Sequence, residues 1–198
     1  ARSLFLLFSF SALLLSLSTV LLMIAIPNVM RTKRAKDETT AEKGDALHLS
    51  PILIVFFLGF AIYSLTYGQN SFTLPLQFAS LFGETVGSQS YAFLMSVNAV
   101  TVLVATAFLT IWTHKIGQLN SMALAMLFYV LGYTVYAGCT SFVPFLVATC
   151  IWTLGEILMA TNANVFVNAY TPPSLRSRAN AYLMTTSSLG HALSPSYG

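Results

Sequence analysis

Apolar runs of about 20 residues, the length of a helix that crosses the hydrocarbon core of a bilayer, recur along this whole chain. In lipid a backbone group without a partner costs several kcal/mol, so a spanning segment is a helix or part of a closed barrel. No segment alternates polar and apolar residues as a barrel strand would, which leaves helices. Composition agrees: of 198 residues 56% are hydrophobic and 8% charged, against about a quarter charged in soluble domains. The chain therefore reads as an all-α, polytopic membrane helix bundle in contact with the lipid bilayer, with no soluble domain beside it.

The pattern predicts six spans. The first runs from about Leu4 to Val29 and is followed by Arg31, Lys33, Arg34 and Lys36. The stretch from Arg31 to His48 mixes both charge signs with Thr, Ala and Gly and reads as a solvated linker. A second span starts at Pro51, well placed for a first helical turn, and stays apolar to Leu65. Tyr67, Gly68, Gln69 and Asn70, with Pro75 beyond them, mark either a kinked or partly broken helix or the start of an external loop over residues 69 to 89. The third, fourth and fifth spans run from about Tyr91 to Trp112, Ser121 to Ala137 and Val143 to Ala169, the last ended by Pro172 and Pro173. A sixth begins near Ala179 and reaches Gly198. The chain starts at Ala1 and stops at Gly198 within an apolar run, as a fragment of a longer protein would.

Charge sets the orientation. Arg31, Lys33, Arg34, Lys36 and Lys43 lie in the first gap, Lys115 in the third, and Arg176 and Arg178 in the fifth. The second and fourth gaps hold no Lys or Arg, so eight of nine basic residues share one side, which the positive-inside rule makes cytoplasmic. The net charge of +3 is thus topological and does not point to nucleic acid. Cys139 and Cys150 have no metal-type spacing and read as small core residues.

One carboxylate breaks the apolar pattern. Asp37, Glu38, Glu42 and Asp45 lie in the linker and Glu84 in the expected external loop, but Glu156 lies within the fifth span. A charge at the centre of a membrane helix costs about 2.5–3.5 kcal/mol on insertion scales, so such a residue is a functional candidate. At about 100° per residue, Thr153, Asn164, Asn168 and Thr161 fall within about 140° of Glu156 and form one polar arc, while Asn162 falls on the other side. No span carries a Lys or Arg to neutralise the carboxylate. Glu156 therefore either takes up and releases a proton or stays protonated and hydrogen-bonded to a neighbouring helix. Tyr63, Tyr67, Gln69, Asn70 and Asn98 are candidates to line the same cavity, or polar glue between helices. His114 reads as a helix-end residue, and His191, near Gly190 and Pro195, as packing or a titratable group. No phosphate loop, metal cluster or nucleophile motif occurs, so neither an enzyme nor a cofactor is expected.

The residues Gly155-Glu156-Ile157, Thr171-Pro172-Pro173, Arg176-Ser177-Arg178, Gly190 and Pro195-Ser196-Tyr197-Gly198 resemble the tenth and eleventh helices of drug:proton antiporters of the major facilitator superfamily. Tyr67-Gly68-Gln69 with Thr73-Leu74-Pro75-Leu76 is similar to their seventh helix, and Asn98 to an Asn of their eighth. His114-Lys115-Ile116-Gly117-Gln118 is similar to the loop between the eighth and ninth, without its acidic residue and final Arg, and Ser177 replaces the Gly of Arg-Gly-Arg. Thr161 or a neighbour stands where many members have Pro. The resemblance implies residues 1–30 as the last helix of an N-terminal half, 31–49 as the central cytoplasmic loop and 50–198 as helices seven to eleven of the C-terminal half. It further implies proton-coupled efflux of small amphipathic organic molecules across the plasma membrane, with uptake of a sugar, peptide or other metabolite as the alternative. Glu156, Tyr67, Gln69, Asn98 and Asn164 would bind proton and substrate, Lys115, Gly117, Arg176 and Arg178 would form cytoplasmic gating loops, and the missing N-terminal half would be the partner.

Overall fold

The computed structural model describes residues 9, 10, 12, 13, 15–17, 20 and 50–196. Most of the expected first span and the whole linker lie outside the described residues. Six helices follow in order: α1 (Pro51–Tyr67), α2 (Gln69–Phe82), α3 (Glu84–Ile116), α4 (Gln118–Gly138), α5 (Phe142–Ala169) and α6 (Arg176–Leu193), with short 3-10 turns at Pro173–Leu175 and Ser194–Ser196. Four stretches among the described residues are long and apolar enough to cross a membrane: Pro51–Phe82, Glu84–Thr113, Gln118–Gly138 and Phe142–Ala169. The expected sixth span is helical as α6, yet Arg176, Arg178 and Asn180 near its start and His191 near its end make it too polar to join them.

The structure decides one open alternative and shifts one boundary. The segment after Asn70 is helix through Phe82, as the broken-helix reading expects and the loop reading does not, so α1 and α2 form one interrupted rod of 32 residues. The interruption is mild, because Gly68 keeps right-handed helical backbone at φ −58° and ψ −21°. Glu84, expected in an external loop, instead sits in the first turn of α3, where a carboxylate offsets the positive end of the helix dipole. Gly83, at φ 81°, makes the reversal between the two helices in a single residue. Hydropathy misplaces the start of α3 because a helix that continues past the hydrocarbon core regains polar residues without losing its backbone bonds.

The core lies between α4 and α5, the most extensively packed pair, with α3 against α5 and α1 against α6. Tyr129, Tyr133, Tyr136, Phe145 and Trp152 are fully buried there. Lipid tails are as apolar as the side chains, so close packing rather than water exclusion holds such helices together. Gly155 shows the consequence: a Cβ at that position would stand 2.7 Å from the backbone oxygen of Ala125 on α4. The packing also carries polar links. The Trp152 indole donates to the Tyr136 hydroxyl at 2.6 Å, which lies 2.7 Å from the Thr149 hydroxyl.

Candidate functional site

Glu156 stands midway along α5, half-buried, with hydrogen-bond partners from two other helices. From α1, the Tyr67 hydroxyl donates to one carboxylate oxygen, Oε1, at 2.6 Å. From α3, the Asn98 amide Nδ2 donates to the other, Oε2, at 2.9 Å. The same amide nitrogen donates to Thr153 Oγ1 at 2.9 Å. Thr153 spends its own hydroxyl proton on the Thr149 carbonyl at 2.6 Å and so is free to accept. Both Asn98 N–H groups are thus used, which orients the amide toward the carboxylate.

These donors are all neutral. A hydrogen bond to a charged group contributes about 1.5–3 kcal/mol, so two of them offset much of the cost of holding the carboxylate at membrane depth.

Aromatic rings wall this carboxylate. The Tyr67 ring meets Tyr129 at 6.3 Å and Trp152 at 6.1 Å, both edge to face, and Tyr63 lies one turn below at 5.9 Å. The hydroxyls of Tyr63 and Tyr129 stand 2.9 Å apart. On the open side the His191 ring of α6 lies 5.5 Å from Tyr67 at 69°.

Of the residues expected around Glu156, Tyr67 and Asn98 are brought to it. Gln69 is not. It is fully buried on the opposite side of the Gly68 interruption, donates to the carbonyl and hydroxyl oxygens of Ser194 at 2.7 and 3.0 Å, and accepts from Thr73. Asn164 is exposed, about two helical turns from Glu156 along α5. The polar arc accordingly divides: Thr153 joins the carboxylate cluster, Thr161 bonds back to the Ile157 carbonyl at 2.7 Å, and Asn168 accepts from Asn180 of α6 at 2.8 Å. Asn162, from the other side of the helix, is buried and returns to the Leu158 carbonyl at 2.8 Å. Asn70 is buried too, and its backbone carbonyl accepts from the Tyr91 hydroxyl at 3.1 Å.

The expected gating loops are shorter than the sequence suggests. Lys115 lies in the last turn of α3, and Arg176 and Arg178 in the first turn of α6, so only Gly117 occupies a turn, at φ 79°. The charged and amide residues that look like loop composition are the hydrated ends of helices. Sequence reasoning also missed the Tyr63–Tyr129 pair and the place of Trp152. Trp152 stands one turn before Glu156, a spacing visible in the sequence, but which neighbour it faces is set by the packing of α1.

No curated protein and no solved structure matches the chain. The sequence model of the Major Facilitator Superfamily matches residues 1–195, nearly the whole length. With long apolar helices, a hydrogen-bonded carboxylate at membrane depth and that match, the chain belongs to the major facilitator superfamily of membrane transporters.

Proposed function

We propose that this chain is part of a proton-coupled transporter that exports small amphipathic organic molecules across the plasma membrane. Glu156 carries the reading, because its carboxylate is held by Tyr67 and Asn98 rather than by a cation and so is free to exchange a proton. The half-exposed ring of Tyr67, backed from within the core by the buried Tyr129 and Trp152, suits a flat apolar ligand body beside that carboxylate. An N-terminal half of the same protein, at the far side of the 31–49 linker, would close the cavity and alternate its access by rocking against these helices. Asn164, exposed farther along α5, would meet the substrate path nearer the cytoplasmic end, and Lys115, Gly117, Arg176 and Arg178 would move at the inner gate.

The test uses the full-length transporter in liposomes with an imposed pH gradient and an amphipathic organic cation such as a fluorescent dye. Glu156→Gln should reduce gradient-driven dye movement to the level of empty liposomes while leaving dye binding measurable. Gradient-driven transport by the variant at the wild-type rate would remove Glu156 from coupling. Movement of a sugar or peptide with no response to dyes would replace efflux by the uptake reading.

A further inference from the structure

The rod of α1 and α2 treats two adjacent amides differently. Gln69 is bonded to Ser194 and Thr73, whereas Asn70 beside it, 3% exposed, has no hydrogen-bond partner among the described residues at either Oδ1 or Nδ2. Two turns farther on, Gln77 is 5% exposed and its Oε1 likewise has no partner among the described residues, while its Nε2 stretches to the Tyr136 carbonyl of α4 at 3.4 Å. At about 100° per residue Thr66, Asn70 and Gln77 fall within about 40° of one another. Thr66 meets α4 as well, since the Tyr133 hydroxyl stands 3.5 Å from its carbonyl. One face of the rod thus turns to α4 with three orphaned amide atoms and two polar contacts at the long limit of a hydrogen bond.

A buried amide without partners gives up its bonds to water and gains nothing in return, so protein interiors pair nearly all such groups with protein or with ordered water. Whatever pairs these atoms is small. Asn70 and Gln77 are shut inside the bundle, where neither a lipid chain nor a helix of an N-terminal half reaches them without parting α2 from α4. It also donates as well as accepts, because the orphans are two acceptors, Asn70 Oδ1 and Gln77 Oε1, and one donor group, Asn70 Nδ2. Water meets both conditions and finds further acceptors in the Thr66 and Tyr136 carbonyls, which supplies the roughly 2–4 partners that a buried water takes. We propose that the seam between the α1–α2 rod and α4 binds a short file of ordered water molecules anchored by Asn70 and Gln77. At 1.5 Å per residue, Gln77 lies about 7.5 Å from the outer end of α2 at Phe82, and Asn70 about 4.5 Å from Tyr67, whose hydroxyl holds Glu156. On the proton-coupled reading, on which this consequence rests, the file links the carboxylate to the outer solution.

The test reads the water directly and does not need transport. The full-length protein in liposomes is irradiated in heavy-oxygen water, so that hydroxyl radicals form from bound water in place, and heavy-oxygen uptake is mapped by mass spectrometry. Tyr133 and Tyr136 are fully buried, yet they should take up label several-fold faster than Phe56 and Phe166, which are as deeply buried and stack on each other, once intrinsic ring reactivity is corrected for. Replacing both anchors, Asn70→Leu with Gln77→Leu, should bring the two tyrosines down to the level of those phenylalanines, with uptake at the exposed Tyr182 unchanged as the check on folding. Asn70→Ser keeps a polar anchor and should keep the labelling. Tyrosine uptake at the phenylalanine level in the unaltered protein overturns the water file, even if dye transport follows the pH gradient, and so does uptake that survives in full in the double variant. Rapid uptake in a transporter whose dye movement ignores the gradient leaves the file standing and overturns the proton-coupled reading instead.

Discussion

At the scale of residues, the economy of the Glu156 site is that each donor has one job. The Tyr67 hydroxyl serves Oε1, and one N–H of Asn98 serves Oε2 while the other engages Thr153. Tyr67→Phe removes a hydrogen bond to the charged form but keeps the ring against Tyr129, Trp152 and His191. It should therefore weaken gradient-driven dye flux by about tenfold, with little loss of thermal stability, as measured by dye flux in liposomes and by detergent unfolding. Asn98→Ala should do more. It takes a donor from the carboxylate and a partner from Thr153 together, so the loss should exceed that of Tyr67→Phe in both measurements. Equal effects of the two variants would show that the Thr153 link adds nothing.

At the scale of elements, the Gly68 interruption is where α1 and α2 meet the end of α6. A Cβ at Gly68 would stand 2.6 Å from both Cβ and Oγ of Ser194, whose oxygens hold Gln69. Gly68→Ala should accordingly destabilise the protein by about 1–3 kcal/mol through overpacking. The double variant with Ser194→Gly removes both clashing atoms and keeps the backbone acceptor of Gln69. It should recover most of the loss in thermal unfolding, and no recovery would place the strain elsewhere. This junction was half legible in the sequence. Gly beside two amides signals an irregular point, but the partner that satisfies Gln69 comes from 125 residues away and no local pattern points to it.

At the scale of the whole molecule, the described helices keep broad apolar surface. On α3, Val100, Leu103, Val104, Phe108 and Ile111 are 60–81% exposed, and they share one stripe. In a membrane that stripe faces lipid. Leu103→Lys should then reduce insertion of this segment by about 2.5–3.5 kcal/mol in a glycosylation-mapping assay. Thr101→Val on the same helix, at a half-buried position bonded to the Val97 carbonyl, should leave insertion unchanged or improved. Insertion of Leu103→Lys at the wild-type level would assign the stripe to a watery cavity.

The sequence by itself determined the medium, the helical class and the exceptional carboxylate, because lipid enforces them on composition: apolar runs must cross as helices, and a lone Glu among them needs partners. It also named Tyr67 and Asn98 as polar residues inside spans. Only the tertiary structure decided that those two meet Glu156 while Gln69 and Asn164 do not. A helical wheel gives the direction of a side chain about its own axis, but not the height and rotation of the helices packed against it. For the same reason His191, ambiguous between packing and titration along the chain, meets the ring of Tyr67 only once α1 and α6 lock together.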